Sequence, residues 1–361
     1  MMPMTALSSS QSPQRHRDWI LHAIELLEQE ERSAAVTPLR KLSLAGLPGI
    51  DIYLKDESTH PSGSLKHRLA RSLLLYGLCN GSIDRGTSLI EASSGSTAVS
   101  LAYFARQLKL PFTAVMTRTT SAAKIQAIKD QGGHCHLVDH ASQIYETAQQ
   151  LACQQHGYYL DQFTNAERAT NWRSNNVVAE IFQQLDRQKI AAPKYLVMSA
   201  GTGGTATTMG RYIRYHGLPS QLCIADPENS VFYDSYVSGN RQLTALHGSR
   251  IEGIGRPKVE PSFTAGVIDR MIKIADDSSI GAMLAVSDLL GFKVGASTGT
   301  NFYATLMLAA EMKKSREQGS LVSLICDKGD RYLDSYHDTD WVSNHFPNAT
   351  KVHRTLISEF E

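Results

Sequence analysis

The chain has only five cysteines in 361 residues, Cys79, Cys135, Cys153, Cys223 and Cys326, and no two of them form a C-x-x-C pair. A chain this long needs no disulfide framework to hold a core, so they read as reduced, mostly buried residues. No apolar run approaches the length of a membrane span. Residues 1–15 lack acids and are rich in serine, without the hydrophobic centre of a secretory signal. A cytoplasmic protein is the expectation, with an organelle presequence as the other reading of that acid-free start. Excess charge is missing too: 36 Lys and Arg against 35 Asp and Glu leave a net charge of +1. That balance gives no reason to expect nucleic acid or an anionic membrane as a partner. No Gly-Lys-Ser/Thr follows a glycine-rich turn, which excludes a P-loop.

What the chain does have is the balance of a globular protein, with 42% hydrophobic and 20% charged residues. From about residue 50 onward, apolar runs alternate with amphipathic helical patterns, which predicts parallel strands joined by crossover helices and an α/β fold. Strands are expected at 52–55, 88–92, 113–116, 135–138, 195–199, 222–225 and 321–326. Helices are expected at 18–31, 66–78, 96–108, 141–154, 167–185, 204–215 and 300–314. The length suits two lobes with a cleft between them, and the boundary falls within continuous α/β sequence near 163–171.

Three polar, glycine-bearing turns each follow a predicted strand and open a helix, the place where open parallel sheets bind ligands. The first is Pro61-Ser62-Gly63-Ser64-Leu65-Lys66-His67-Arg68. Lys66 would begin a helix whose positive end disfavours a second positive charge, and a neutral amine is what nucleophilic chemistry requires. An ordinary solvated lysine is the alternative. The second is Ser93-Ser94-Gly95-Ser96-Thr97, where four hydroxyls and a run of free amides make a cradle for a carboxylate or phosphate. A serine cap alone would need only one of them. The third is Ser199-Ala200-Gly201-Thr202-Gly203-Gly204-Thr205, whose glycines let the backbone wrap an anion. This turn also satisfies G-x-G-x-x-G/A, with Asp226 where a ribose-binding acid would sit, so an NAD-dependent dehydrogenase is a competing reading. A dinucleotide leaves the first two turns idle, however. A phosphorylated aldehyde cofactor with an amino-acid partner uses all three.

In this order and spacing the motifs resemble the pyridoxal-5'-phosphate (PLP) family that includes cysteine synthase and cystathionine β-synthase, of the tryptophan-synthase-β-like fold. The resemblance runs from about residue 37 to 336. It implies that Lys66 is the Schiff-base lysine, that Ser93, Ser94, Gly95, Ser96 and Thr97 form the substrate-carboxylate loop, and that Gly201, Thr202, Gly203, Gly204 and Thr205 bind the phosphate. It likewise implies that Asp161-Gln162-Phe163 is a strand whose Gln162 helps bind substrate. Gly253 belongs by the same likeness to a loop facing the cofactor's edge, and Ser297 meets the pyridine nitrogen. A neutral hydroxyl there makes the ring a milder electron sink, suited to losing a β-substituent.

The chain departs from the synthases in three places. Ser96 stands where they carry asparagine beside the cofactor's ring hydroxyl, Arg256-Pro257 replaces small residues near the substrate entrance, and residues 327–336 carry a longer acidic and aromatic run. Together these resemble the family's L-cysteine desulfhydrase branch. The implied reaction is α,β-elimination of L-cysteine to sulfide, pyruvate and ammonia through an aminoacrylate. Cysteine-synthase-type replacement, with O-acetylserine or through cystathionine formation, is the alternative.

The resemblance further implies a homodimer, a smaller lobe at 66–165, and a larger lobe at 37–65 and 166–345. Residues 1–36 would then form an N-terminal extension with one helix, and 346–361 a polar surface tail. His134, His136, Asp139 and His140 read as a strand-end surface cluster rather than a metal site, since ligands so close in sequence cannot surround one ion. Tyr332, Tyr336 and Trp341 read as packing residues.

Overall fold

The structure is a computed structural model that describes residues 13–360; the serine-rich start lies outside them. Helix α1 (Pro13–Ser33) precedes strands β1 (Leu39–Leu42) and β2 (Ile50–Asp56) and helix α2 (Lys66–Cys79). Next come β3 (Leu89–Ala92), α3 (Ser96–Leu108), β4 (Phe112–Thr117), α4 (Ala122–Asp130), β5 (His134–Val138), α5 (Ile144–Gln154), β6 (Tyr158–Tyr159) and α6 (Gln162–Ala169). The chain continues through α7 (Val177–Arg187), β7 (Tyr195–Ser199), α8 (Gly204–Tyr215), β8 (Gln221–Pro227), α9 (Phe232–Ser238) and β9 (Arg270–Ile274). It ends with α10 (Asp276–Leu290), α11 (Ala296–Lys314), β10 (Gly319–Ile325), α12 (Thr339–His345) and α13 (Ala349–Phe360).

Two sheets result, a six-stranded one of order β1-β2-β10-β7-β8-β9 and a four-stranded one of order β5-β4-β3-β6. All neighbours run parallel except β1, which pairs antiparallel with β2. Period-two alternation buries both faces of the larger sheet. Tyr195 and Val197 of β7 belong to the core on the α11 side, where α10 and α13 form the layer behind α11, while Leu196 and Met198 belong to the core with α7 and α8. In the smaller sheet Leu89 meets the α2 and α3 side, and Ile90 meets Ala148 and Ala152 of α5. Each crossover helix therefore starts at the carboxyl end of a strand, and the three turns named above lie at such ends.

Several expected elements differ. The helix expected at 167–185 is two helices, because Asn175 takes a left-handed φ of 56° and Asn176 caps α7 by accepting from the Ala179 amide at 3.0 Å. The strand expected at Asp161-Gln162-Phe163 is a helix start: β6 ends at Tyr159, Asp161 is the left-handed N-cap of α6, and its carboxylate accepts from the Thr164 amide at 3.2 Å. The polar tail expected at 346–361 is mostly α13, which buries Ala349 and Leu356. It packs so closely on α10 that a Cβ on Gly281 would lie 2.6 Å from Val352 Cβ. Strands β1, β6 and β9 are not among those expected: β6 has only two residues, and β1 and β9 are edge strands whose sequences show neither strict alternation nor a continuous apolar run.

Candidate active site

Lys66 is the first residue of α2 and is half-buried against a cleft of about 540 Å³. The preceding turn is fixed from two sides. The Leu65 amide donates to Cys326 O at 2.8 Å, and the Lys328 amide to Gly63 O at 3.2 Å, which stitches the turn to the end of β10. Behind it Arg68, on another face of α2, donates to Glu57 at 2.6 and 3.0 Å and to Glu180 at 2.8 and 2.7 Å. Lys55, fully buried, joins the same Glu180 at 2.8 Å. Burial opposes charge on Arg68, but the two carboxylates outweigh it and hold its guanidinium well above its ordinary range. Arg68 therefore anchors the helix rather than facing the cleft. His67 is pinned between Glu30 at 2.9 Å and Ser62 Oγ at 3.0 Å, and burial lowers its pKa despite Glu30.

The second turn leaves β3 and opens α3 on the same cleft. Thr97 Oγ1 donates to Gln162 Oε1 at 2.8 Å, and Gln162 Nε2 reaches Ala92 O at 3.5 Å, so these two predicted site residues are bonded to each other although they come from α3 and α6. The Gln162 amide donates to Glu91 Oε2 at 3.3 Å. Fully buried, with Asp161 nearby, Glu91 is pushed up to about 8, chiefly by desolvation. Ser93 Oγ accepts from the Gly95 amide at 3.3 Å, and Ser96 Oγ accepts from Arg331 at 2.7 Å. Ser94 lines the cleft beside them.

The third turn joins β7 to α8. Gly203 has φ 90°, and a Cβ there would lie 2.6 Å from Phe263 Cα, so only glycine lets this backbone pass. The first amides of α8 have no acceptor within the helix; Thr205 and Ala206 line the cleft and Gly204 does not. Thr202 Oγ1 accepts from the Gly204 amide at 3.2 Å, and Thr202, Thr205, Gly201 and Gly203 all line the cleft. Asp226, the acid that the dinucleotide reading needed, is fully buried and accepts from the Tyr233 amide at 2.8 Å, away from the cleft.

Ser297, at the start of α11, lines the cleft near the Cys326 thiol, which accepts from Asn301 Nδ2 at 3.2 Å and which desolvation pushes up to about 11. Gly253 and Arg256 lie on the loop facing this end. Arg256 is engaged by protein groups: it donates to Glu260 at 2.8 Å and to the Tyr145 hydroxyl, and its guanidinium carbon lies 4.2 Å over the Phe163 ring. Lys124 of α4 pairs with Glu252 at 2.7 Å beside it. Sequence reasoning did not find Tyr145 or Lys124 because each comes from an ordinary amphipathic helix, whereas Glu252 lies in the 251–255 segment that the family resemblance had placed facing the cofactor's edge. It flagged 327–336 without giving that segment a role. Tyr332 lines the cleft, and its hydroxyl donates to the buried Asp327 at 2.7 Å, so it is more than packing. Among the described residues no group of three or more His, Cys, Asp or Glu could hold a metal ion.

The family model of pyridoxal-phosphate dependent enzymes matches residues 31–327. The chain belongs to this family. It is 53% identical over 332 residues to an L-cysteine desulfhydrase of Mycobacterium tuberculosis, covering 91% of this chain and 90% of that protein. Among solved structures it is similar to a hydrogen sulfide-producing enzyme of Fusobacterium nucleatum, with a TM-score of 0.77 and 23% identity over 91% of this chain and 96% of that one. It is also similar to an O-ureido-L-serine synthase, with a TM-score of 0.75 and 23% identity over 85% and 93%. These two likenesses establish a shared two-sheet α/β fold.

The family's cofactor is pyridoxal phosphate, and the donor set fits it. A helix N-terminus behind a glycine turn suits a phosphate dianion, an amine stands on the adjacent turn, and Ser199 Oγ, at the foot of the glycine turn, is buried without a protein partner.

Proposed function

We propose that the protein is an L-cysteine desulfhydrase, converting L-cysteine and water to hydrogen sulfide, pyruvate and ammonia. The observation that carries it is the convergence of an amine, a hydroxyl-rich carboxylate cradle and a glycine-lined anion cup on one cleft. The choice of cysteine and of elimination is supported by the likeness to the mycobacterial enzyme across nine-tenths of both chains.

Bound pyridoxal phosphate supplies a conjugated sink for the electron pair left on Cα when its proton departs. The other roles belong to the chain. Gly201, Thr202, Gly203, Gly204 and Thr205 would hold the phosphate, Gly204 by spacing the turn, since its own amide goes to Thr202 Oγ1, and the others through the amides that follow it and the threonine hydroxyls. Ser297 faces the ring nitrogen as a neutral hydroxyl. Ser93, Ser94, Gly95, Ser96, Thr97 and Gln162 bind the substrate carboxylate, and Gly253 shapes the facing wall. Lys66 Nζ would hold the cofactor covalently in the resting protein and, with substrate bound, would take the Cα proton as general base. Arg256 sits beside the substrate's entrance and orders that side through Tyr145 and Glu260. Residues 66–165 form a smaller lobe that closes on the larger lobe of 37–65 and 166–345, keeping water out during the chemistry.

We also infer a homodimer in the cytoplasm. Free cysteines and the lack, among the described residues, of a helix long and apolar enough to cross a membrane are consistent with that compartment. The family resemblance implies the dimer.

The test incubates the purified protein with pyridoxal phosphate and L-cysteine, and measures sulfide and pyruvate against cysteine made from O-acetylserine plus sulfide. Pyruvate without synthesis is expected; rapid synthesis with little pyruvate would overturn the elimination reading. Borohydride reduction followed by peptide mapping should place the pyridoxyl group on residue 66. Lys66→Ala should lose that label and reduce turnover at least about a hundredfold, the lower range for a missing general base.

A further inference from the structure

We propose that Arg331 is a positioning residue for the substrate-carboxylate loop, clamping it to the turn that bears Lys66 and orienting the Ser96 hydroxyl as a donor toward the incoming carboxylate. Arg331 lies in the short 3₁₀ turn Gly329–Tyr332 that follows β10. Its Nη1 donates to Ser96 Oγ at 2.7 Å and its Nη2 to Ser62 O at 2.6 Å. One planar fork thus bridges the end of the smaller sheet's β3 loop and the turn before Lys66.

The base of the fork is itself fixed. The Gly329 amide donates to Lys293 O at 2.9 Å, the Lys328 amide to Gly63 O at 3.2 Å, and the Tyr332 hydroxyl to Asp327 at 2.7 Å. A guanidinium only donates hydrogen bonds, so the Ser96 oxygen accepts from it and its single proton is left for another acceptor. The cationic donor also polarises that hydroxyl, which strengthens its own donation. The acceptor on the cleft side is the substrate carboxylate, and this step rests on the role assigned above to residues 93–97. Lysine could not replace the fork, because one ammonium on a flexible stem does not span two fixed acceptors.

Steady-state kinetics of Arg331→Gln, Ser96→Ala and the double variant test the clamp. Each single change should raise KM for L-cysteine about tenfold, the size of one charge-assisted hydrogen bond, with kcat changed less than about threefold. The double variant should be no worse than Ser96→Ala alone, because Arg331 acts through the Ser96 hydroxyl that this change removes. In the cofactor-free protein, Arg331→Gln should speed amide hydrogen exchange at 93–97 while leaving β7 unchanged. Should Arg331→Gln fail to fold, Arg331→Lys keeps the charge and most of the volume and is read the same way. Additive effects on KM, an unchanged KM, or unchanged exchange at 93–97 would each overturn the inference. Borohydride mapping in parallel keeps the readings apart: a label on residue 66 together with additive effects sinks the Arg331 role alone.

Discussion

At the scale of single residues, a large perturbation sits next to the chemistry rather than in it. Glu91 is the penultimate residue of β3, just before the hydroxyl-rich loop at 93–97, and with its carboxyl pushed up to about 8 it holds a proton at neutral pH in the folded state, whereas its unfolded value is near 4.5. The folded chain therefore binds more protons than the unfolded one between those values. Stability from this group is complete below about 4.5 and is lost as pH rises through about 8. Asp226 and Asp276, each pushed up to about 6, act in the same direction in a lower window. Glu91→Gln in the cofactor-free protein should thus gain melting temperature relative to the unaltered chain as pH goes from 6 to 9. A difference that stays flat over that range would show that Glu91 is ionised in the fold. None of this was legible in the sequence, where Glu91 is one acid in a strand; its burial comes from α6 closing over it through Gln162. Lys66, by contrast, was readable because chemistry restricts which residue type can stand there.

At the scale of elements, the strand-to-helix turns were the legible part. Helices α3 and α8 begin where glycine and hydroxyl residues predicted them, because those residues fit few other local structures. Elements whose existence depends on distant packing were not legible. Helix α10 is apolar on most faces and carries no amphipathic stripe, since α11 and α13 both cover it. The break between α6 and α7 hinges on left-handed Asn175, which a helical pattern running on through 185 conceals. Gly203 is the position where the turn depends on a single residue. Gly203→Ala forces a side chain into Phe263 and Ser262 backbone atoms at 2.6–2.8 Å and strains a φ of 90°. The backbone must shift in the turn to which we assign the phosphate. We expect a stability loss of about 1–3 kcal/mol by chemical denaturation, together with weaker cofactor binding by fluorescence titration. Unchanged cofactor affinity would mean that the phosphate is held elsewhere.

For the whole molecule, the contacts across the cleft differ in strength. Lys124 and Glu252 are about a third exposed, so their ion pair is screened and is worth under about 1 kcal/mol. Arg256 is different, because its partner Glu260 is 1% exposed and has a second oxygen already without a hydrogen-bond partner. Removing that cation leaves the buried carboxylate with only the longer ion pair to Lys258 at 4.0 Å, a loss of about 1–3 kcal/mol, whereas removing Lys124 merely returns Glu252 to water. The same cation also stacks on Phe163 and accepts order from Tyr145, both from the segment 66–165, so its loss loosens the contact between that segment and the loop at 251–256. Lys124→Gln should leave denaturation midpoints and KM for L-cysteine within about twofold of the unaltered protein. Arg256→Gln should lower the midpoint clearly and change kcat and KM together, as expected when closure rather than one binding contact is impaired. Tyr145→Phe, which keeps the ring and removes only the hydroxyl, should fall between them. Equal effects from the Lys124 and Arg256 variants would show that the two halves are held together by surface charge instead, and raising ionic strength should then reproduce both phenotypes in the unaltered protein.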